Sequence, residues 1–320
     1  MVVLLSTDEN FVQHCCVTIT SVLMNNHGVE FYLFTEGLQT QSIELLKQQV
    51  ERYDGKLTVI KIDHGMVSDF PMPAHMSSHI TIATYYRLFA AKLLPADLDR
   101  VIYLDCDTVV DGSLQPLWET PLEQSALASV YQSHEHSDFY MGKGPRSYTR
   151  LHIPRESGYF NAGVLLINLD YWRKHQVTER LFAFIRNHHD LIYAHDQDTL
   201  NAVLYDETAV LAPTWNYREC FLESDSLTYP AKAQYDYPVA HPIVVHYVSK
   251  PKPWQYYCKH PLKELYFHYL RETPFAGRLP RWSWSEYKQF VLIPRLISFL
   301  LKLDVFKIRK VIRRPKIEMN

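Results

Sequence analysis

Short apolar runs alternate with helical segments through the first hundred residues, and this alternation limits the fold more than any other feature of the chain. The runs are residues 2–6, 30–35, 56–62 and 101–104. Each of the first two connecting helical patterns ends at a stop that contains glycine, at Gly28 and at Gly55. Strands joined by helical crossovers pair in parallel. The sequence therefore predicts an α/β fold with a mostly parallel, Rossmann-like central sheet flanked by helices.

Three further apolar runs, at 126–131, 163–168 and 243–248, predict further strands, and we expect the last of them to be the final core strand. The segment 171–188 carries apolar residues at helical spacing and predicts a single helix. We find no internal repeat along the chain. The pattern predicts one domain over residues 1–275 and a tail over residues 276–320.

Two carboxylates, Asp105 and Asp107, directly follow the apolar run 101–104. In open α/β sheets, ligands bind at the carboxyl ends of the strands. Two anions separated by one residue repel each other unless a cation holds them, and carboxylate oxygens are common ligands of divalent metals. The pair therefore predicts a divalent metal site at this edge of the sheet.

Composition narrows the class of protein. With 320 residues, of which 47% are hydrophobic and 21% charged, the chain can bury a sizeable core. Its five cysteines show no CxxC spacing, which argues against a zinc ribbon and a disulfide framework. Met1 leads into an apolar run without a basic segment or a cleavage site, so we predict no signal peptide and expect a cytoplasmic protein.

The last forty residues differ in charge from the rest. Residues 281–320 contain ten Lys and Arg against three Asp and Glu, a net charge of +7, which leaves −9 on residues 1–280. Trp282 and Trp284 precede an alternation of apolar and basic residues that is too short to span a bilayer. Tryptophans, an apolar stripe and cations together favour a helix lying on an anionic membrane surface. A helix docked on the body and a nucleic-acid-binding segment are the alternatives, and we expect no nucleic acid partner.

Six separated stretches carry polar residues that are candidates for one site: STDENF at 6–11, YYRL at 85–88, DCD at 105–107, FNAGVLLINL at 160–169, HDQDTLN at 195–201 and HYVSKPKPW at 246–254. Each alone has a simpler explanation, such as capping of a helix by Asp8 or Asn10. Together, over residues 2 to about 261, they resemble glycosyltransferase family 8, whose members have a GT-A fold. In pattern they are most similar to the bacterial galactosyl- and glucosyltransferases of lipopolysaccharide and lipooligosaccharide.

The resemblance implies a metal centre formed by Asp105, Asp107 and His246. Mixed oxygen and nitrogen ligands suit Mn²⁺, with Mg²⁺ as the alternative. A metal held there stabilises the diphosphate of a nucleotide sugar as it leaves.

The resemblance also implies the contacts to a UDP-hexose donor. The uridine meets the first stretch, the diphosphate a lysine whose point charge suits a phosphate, and the sugar hydroxyls an arginine, a carboxylate and two amides. The residues implied for the uridine are Asp8, Asn10 and Phe11, and the lysine implied for the diphosphate is Lys252. The residues implied for the sugar hydroxyls are Arg87, Asp196, Asn161 and Gln197, and Asp105 is implied to contact the ribose as well.

The residue beside the anomeric carbon in this family corresponds to Gln197. Retention of configuration usually indicates a carboxylate nucleophile, but an amide is a poor nucleophile. We therefore predict a front-face substitution through a short-lived oxocarbenium-like ion pair, with the leaving diphosphate taking the acceptor's proton and Asp196 as the alternative nucleophile. One departure from the family pattern is Ser249, which replaces a glycine and would crowd the diphosphate loop if its backbone needed a positive φ.

The predicted activity is the retaining transfer of galactose or glucose from a UDP-sugar to a hydroxyl of a lipopolysaccharide or other glycolipid, at the inner face of the cytoplasmic membrane. His79 and Asp138 are candidates for the acceptor site. A haloacid-dehalogenase-type phosphatase with Asp105 as nucleophile also matches the DCD stretch, although that motif normally follows the first strand. A non-catalytic sugar-nucleotide-binding protein and a glycogenin-like self-glucosylating enzyme are the remaining alternatives.

Overall fold

A seven-stranded sheet forms the centre of the molecule. The computed structural model describes residues 1–71, 81–134, 147–221, 228–233, 235, 239–278 and 280–303. The strands in these residues are β1 (Val2–Ser6), β2 (Glu30–Thr35), β3 (Lys56–Lys61), β4 (Arg100–Leu104), β5 (Thr108–Val110), β6 (Leu127–Tyr131), β7 (Phe160–Asn168), β8 (Thr208–Val210) and β9 (Val244–His246). The sheet has the order β3-β2-β1-β4-β7-β6-β8, and β5 pairs with β9 in a separate two-stranded sheet.

Most strand pairs of the central sheet are parallel, as the sequence predicts. Strand β1 pairs in parallel with both β2 and β4, and β2 pairs in parallel with β3. Strand β7 runs antiparallel to its neighbours β4 and β6, while β8 is parallel to β6. A mostly parallel sheet with a reversed β7 is therefore the framework on which the loops are built.

Helices cover both faces of this sheet. The α-helices of the described residues are α1 (Val12–Asn25), α2 (Thr40–Glu51), α3 (Ala90–Leu93), α4 (Gln115–Trp118), α5 (Ser147–Leu151), α6 (Leu169–Lys174), α7 (Val177–Asn187), α8 (His195–Leu204), α9 (Lys263–Leu270), α10 (Trp284–Tyr287) and α11 (Ile293–Leu303). Tighter 3₁₀ turns occupy Glu9–Phe11, His64–Met66, Ile82–Phe89, Arg155–Ser157, His189–Leu191, Pro213–Trp215 and Ala231–Ala233, and a π turn occupies Lys288–Leu292.

Successive side chains of each strand point to opposite faces of the sheet, so the hydrophobic core forms two layers, one on each face. In β1, Val3 and Leu5 pack with α1, α2 and α9 on one face. Val2 and Leu4 pack with the layer of α6, α7 and α8 on the other face. Because both faces are buried, a central strand reads as a continuous apolar run, which is why the sequence reveals it.

The predicted helix over 171–188 is wrong in its extent. Two helices, α6 and α7, replace it, and Gln176 between them has a left-handed backbone with φ 51°. A residue in that conformation cannot continue an α-helix. The apolar spacing on either side hides this break in the sequence.

The predicted final core strand, over 243–248, is confirmed as a buried strand, but it is shorter than predicted and does not join the central sheet. Its central part, β9, pairs antiparallel with β5 and lies outside the central sheet. The register places His246 opposite Thr108, one residue beyond Asp107. A buried apolar run indicates a strand but does not indicate its partner, so the sequence gives no sign of this second sheet.

The described part of the tail is helical and exposes large apolar side chains. Trp282, Trp284 and Phe299 are each more than half exposed, and Leu292, Ile293, Leu296 and Ile297 are also exposed. At its root, Arg281 N donates to Trp254 O (2.8 Å) and Tyr256 N donates to Arg281 O (2.9 Å). No helix in the residues described above is long and apolar enough to cross a membrane.

Candidate functional site

A cleft of about 500 Å³ opens at the carboxyl ends of β1 and β4. All six stretches singled out in the sequence contribute to it, although the first begins at residue 6 and the last at residue 246. Its walls include Asp8, Phe11, Thr84, Arg87, Asp105, Asp107, Asn161, Gly163, Asp196, Gln197, His246 and Lys252. The strand-end position is where an open α/β sheet binds its ligands.

The three predicted metal ligands come together in this cleft. Asp105, Asp107 and His246 each offer one ligand atom, and these atoms lie within 4.8 Å of one another. His246 Nε2 lies 3.1 Å from Asp107 Oδ1 and 3.8 Å from Asp105 Oδ2. The end of β4 places the first carboxylate, and the pairing of β5 with β9 brings the imidazole to it.

The atoms of this cluster fit a divalent metal. Asp107 Oδ1 is buried and receives no hydrogen bond in the described part of the chain. The absence of a side chain at Gly163 lets the other two ligands approach the backbone, because a Cβ there would lie 2.1 Å from His246 Cε1 and 2.8 Å from Asp105 Oδ2. A buried acceptor left without a donor is costly unless a ligand completes it. Two carboxylates and an imidazole are a donor set that suits Mn²⁺.

Lys252 supplies positive charge on the other side of Asp107. Its Nζ lies 2.8 Å from Asp107 Oδ2, and it donates to the backbone oxygens of Val248 (2.8 Å) and Tyr247. Burial alone would raise the pKa of Asp107, but Lys252 and then His246 outweigh it and hold this pKa well below its usual range. Asp107 therefore carries its negative charge at neutral pH.

Arg87 joins the metal cluster to the predicted sugar contacts. Its buried guanidinium lies 2.7 Å from Asp105 Oδ1 and 3.0 Å from Asp196 Oδ2. It stacks over the ring of Tyr103 at 4.0 Å, and the Tyr103 hydroxyl donates to Asp105 Oδ1 (2.8 Å). Two carboxylates and one arginine thus form a continuous charged wall, and the contact of Arg87 with sugar hydroxyls stays a prediction.

Asp196 is nearly fully buried at the start of α8. The Thr84 hydroxyl donates to its Oδ1, and Arg87 lies beside its Oδ2. Burial raises the pKa of Asp196 to about 6 even though Arg87 and Thr84 oppose the rise. Its charge therefore changes within the range in which enzymes are assayed.

Gln197 and Asn161 form one hydrogen-bonded unit. Gln197 Oε1 accepts from Asn161 Nδ2 (2.9 Å) and from the backbone N–H of Ala162 (3.1 Å). A carbonyl oxygen has two lone pairs, and both are used here. The carboxamide is consequently held in one orientation against β7.

Two of the three residues predicted to contact the uridine line the cleft, and the third does not. Phe11 lies at the cleft wall, edge-on to Trp254 (centroids 6.0 Å apart). Asp8 lines the cleft but also caps the adjacent 3₁₀ turn, accepting from Asn10 N (2.9 Å) and Phe11 N (3.2 Å). Asn10 is exposed and does not line the cleft among the described residues. Capping by Asp8, the simpler explanation, is thus real, and binding of uridine by these residues stays a prediction.

Ser249 causes no backbone strain. Among the described residues with positive φ, which include Gln176 and His195, Ser249 does not appear. Its side chain is exposed at the cleft wall, and the positive φ on which the expected crowding depended is absent. The proposed acceptor residues, His79 and Asp138, lie outside the described residues.

Four residues of the site were given no role from the sequence alone. They are Thr84, Tyr103, Gly163 and Asn216. Tyr103 has a readable signal, since it lies two residues before Asp105 and a strand returns to the same face every second residue. Asn216 follows the turn Pro213–Trp215 in no recognisable motif, yet it is fully buried and bonded to His246 Nδ1 (2.9 Å).

Relatives of known family cover most of the chain. The sequence model of glycosyl transferase family 8 matches residues 2–258. The chain is 30% identical over 275 residues to general stress protein A of Bacillus subtilis, which covers 83% of this chain and 91% of that protein. It is 27% identical over 274 residues to the lipopolysaccharide 1,3-galactosyltransferase of Salmonella typhimurium, covering 84% of this chain and 77% of the relative. It spans only 60% and 34% of the lengths of two related glycosyltransferases of Streptococcus pneumoniae.

The fold has a solved counterpart. The galactosyltransferase LgtC, crystallised with donor and acceptor sugar analogues, superimposes with a TM-score of 0.74 at 24% identity, covering 86% of this chain and 96% of that chain. This likeness confirms the GT-A fold expected from the sequence. Family membership also removes the phosphatase alternative, in which Asp105 would be a free nucleophile rather than a partner of Arg87 and Tyr103. With a family model matching nearly its whole folded body and a GT-A sheet beneath its cleft, this chain belongs to glycosyltransferase family 8.

Proposed function

We propose that this protein transfers galactose or glucose from a UDP-sugar to a hydroxyl of a lipopolysaccharide or related glycolipid, with Mn²⁺ and with retention of configuration. The observation that carries the proposal is the shared cleft, in which the cluster of Asp105, Asp107 and His246 lies beside Asp196 and Gln197. A metal cluster next to hydrogen-bonding groups is what a diphosphate joined to a sugar requires. The lipopolysaccharide 1,3-galactosyltransferase of Salmonella typhimurium supports the class of acceptor.

Two positively charged groups, the metal ion and Lys252, would stabilise the leaving diphosphate. A bound Mn²⁺ supplies Lewis-acid stabilisation of the developing charge. Lys252 lies beside the other oxygen of Asp107 and would donate to a phosphate oxygen, which would replace one of the backbone oxygens that its ammonium now contacts. Arg87 keeps Asp105 in place throughout, because its guanidinium is buried and bonded to that carboxylate.

The contacts of Gln197 support front-face substitution. Both lone pairs of its Oε1 already accept hydrogen bonds, which lowers the reactivity of an atom that is a poor nucleophile to begin with. Asp196, the alternative nucleophile, is engaged by Thr84 and Arg87. We therefore assign Asp196 and Gln197 to orienting the donor sugar while the departing diphosphate accepts the proton of the acceptor.

The tail supports an acceptor that resides in a membrane. Exposed Trp282, Trp284 and Phe299 are large apolar groups that water solvates poorly. The net charge of +7 on residues 281–320 favours anionic lipid over a neutral surface. We propose that the tail binds the inner face of the cytoplasmic membrane and holds the cleft near its glycolipid.

A panel of nucleotide sugars tests the donor and the metal together. Thermal unfolding is measured with UDP-galactose, UDP-glucose, UDP-N-acetylglucosamine, GDP-mannose and UDP, each with Mn²⁺ or with a chelator. A ligand at 100 times its Kd stabilises the folded state by about 2.7 kcal/mol. We expect a stabilising shift with one UDP-hexose that disappears with the chelator. No shift with any UDP compound would remove the proposal.

A single substitution tests the metal assignment. Asp107→Asn removes a ligand charge but keeps the shape of the side chain, so we expect loss of Mn²⁺-dependent stabilisation by the UDP-hexose in a folded protein. Asp97→Asn is the matched control, since Asp97 is exposed and outside the cleft. An Asp107→Asn protein that binds Mn²⁺ as tightly as the wild type would exclude Asp107 as a ligand.

A further inference from the structure

A chain of side-chain amides connects the metal cluster to the sugar contacts. Asn216 is fully buried at its centre. Its Nδ2 donates to Asn161 Oδ1 (2.8 Å), and its Oδ1 lies 2.9 Å from His246 Nδ1. Asn161 Nδ2 in turn donates to Gln197 Oε1 (2.9 Å). Asn216 thus stands one hydrogen bond from a proposed metal ligand and two from the residue proposed beside the anomeric carbon.

Two backbone donors fix the direction of every link. The N–H of Gly163 donates to Asn161 Oδ1 (3.0 Å), and the N–H of Ala162 donates to Gln197 Oε1 (3.1 Å). A backbone N–H can only donate, so the oxygens of both amides are identified. The group of Asn216 that faces Asn161 Oδ1 must then be its NH₂.

The same reasoning fixes the tautomer of His246. With the NH₂ of Asn216 turned toward Asn161, its Oδ1 faces His246 Nδ1 and accepts the proton carried there. In the neutral ring, Nε2 then keeps a lone pair, and Nε2 is the nitrogen that lies 3.1 Å from Asp107 Oδ1. The lone pair of Nε2 and the buried oxygen of Asp107 are then both open to a metal ion.

The far end of the chain is anchored by a buried charge. Gln197 Nε2 donates to the Tyr159 hydroxyl (3.2 Å), which donates to Asp198 Oδ1 (2.7 Å). Asp198 is in turn paired with Arg150 (2.8 Å) in the interior. Each amide along the way both accepts and donates, so no link can reverse without leaving buried groups unpaired on both sides. Such a network is costly to break and stiff when complete.

We propose that Asn216 is a positioning residue that couples the two halves of the site. Through its Oδ1 it holds His246 in the tautomer that presents Nε2 to the metal. Through its Nδ2 it fixes Asn161, and Asn161 fixes the carboxamide of Gln197 against the donor sugar. The inference rests on the proposed function, since it assumes a metal at His246 and a UDP-hexose at Gln197.

Two substitutions separate the two roles of Asn216. Asn216→Ala removes both hydrogen bonds, whereas Asn216→Asp keeps an acceptor for His246 but turns a second acceptor toward Asn161 Oδ1. Groups that orient a metal-bound histidine typically contribute about 10- to 100-fold in metal affinity. We therefore expect Asn216→Ala to lose about that factor in Mn²⁺ affinity, measured by electron paramagnetic resonance without nucleotide. Asn216→Asp should bind Mn²⁺ as well as the wild type does.

A separate measurement tests whether Asn216 positions the residues that contact the sugar. In the wild type, the ratio of the affinity for UDP-hexose to that for UDP, both with saturating Mn²⁺, reports the contacts to the sugar. A misplaced hydrogen-bonding group costs about 1 kcal/mol or more, which corresponds to at least about fivefold. We expect both variants to lose at least this factor in the ratio, while affinity for UDP itself changes little in Asn216→Asp.

A buried asparagine elsewhere controls for lost stability. Asn26→Ala removes an amide whose partners, in the part of the chain that the structure describes, are the backbone groups of Val22, Gly112 and Leu114. It should lower the melting temperature without changing Mn²⁺ affinity or the sugar ratio. If Asn216→Ala and Asn216→Asp behave like Asn26→Ala, Asn216 has a structural role alone and the inference is overturned. If the wild type binds no UDP-hexose at all, the proposed function fails first.

Discussion

At the scale of single residues, Gly163 is the described glycine at which an added Cβ would come nearest to another atom. A Cβ there would lie 2.1 Å from His246 Cε1 and 2.8 Å from Asp105 Oδ2, and real Cβ atoms do not approach other atoms so closely. The backbone cannot retreat, because Gly163 O accepts from Asp105 N (2.8 Å) within the sheet. We expect Gly163→Ala to displace His246 and to weaken Mn²⁺ binding by about 10-fold or more, a cost comparable to losing a group that orients a ligand.

Titration with Mn²⁺ measures this loss directly. Gly37→Ala is the matched control, since a Cβ at Gly37 meets no atom within 4 Å. The control should bind Mn²⁺ as the wild type does. Unchanged Mn²⁺ affinity in Gly163→Ala would show that His246 is not a ligand or that the cluster rearranges freely.

Asp196 gives the site a dependence on pH. Burial raises its pKa from the ordinary 3.8 to about 6. The folded protein therefore holds this proton more tightly than the unfolded chain, so the group contributes stability that is complete below about pH 3.8 and is lost as the pH rises through about 6. The affinity for the sugar should change with pH in the opposite direction and increase as the pH rises. The ionised carboxylate accepts hydrogen bonds from hydroxyls more strongly than the protonated one.

We expect the advantage of UDP-hexose over UDP in affinity to fall as the pH is lowered through about 6. Calorimetric titrations of both ligands at a series of pH values measure it, and the UDP series accounts for protonation elsewhere. In Asp196→Asn the advantage should be small and independent of pH. A constant advantage in the wild type from pH 5 to 8 would exclude an ionised Asp196 from the contacts to the sugar.

At the scale of elements, the sequence predicts strands better than it predicts their partners. Strands β1 to β4 and the carboxylates after β4 follow from apolar runs and turn signals, because a strand buried on both faces leaves a continuous run. The pairing of β9 with β5 leaves no such mark, although it is what brings His246 to Asp107. The resemblance to a family supplied His246 where spacing alone did not. The role of Asn216 depends on hydrogen bonds to distant segments, which no local pattern records.

The tail is an element whose function can be tested by truncation. Deleting residues 284–320 removes α10, α11 and most of the basic charge but keeps the backbone bonds of Arg281 to Trp254 and Tyr256. We expect the truncated protein to lose binding to vesicles that contain anionic lipid, because both the apolar stripe and the cations are gone. Co-sedimentation with vesicles measures the bound fraction.

A point variant refines this test. Phe299→Glu places one charge on the exposed apolar face of α11 and leaves the length of the tail intact. It should weaken binding to anionic vesicles and leave the melting temperature unchanged. If truncated and full-length proteins co-sediment equally, the tail is not the membrane-binding segment.

At the scale of the whole molecule, the root of the tail and the donor cleft are one continuous structure. Arg281 pairs through its backbone with Trp254 and Tyr256, in the segment that begins with Lys252. Only two residues separate Arg281 from α10. A tail lying on lipid therefore holds the cleft at a set height above the bilayer.

If the tail lies on lipid as proposed, the distance between the cleft and the bilayer would select among glycolipid acceptors. Glycolipids that share a terminal sugar but differ in the number of sugars below it should react at different rates on vesicles, and the same glycans released from lipid should react alike. Equal rates on vesicles would mean that the cleft moves freely above the surface. The short backbone pairing at Arg281 would thus determine how far from the membrane a glycan must extend before it receives its next sugar.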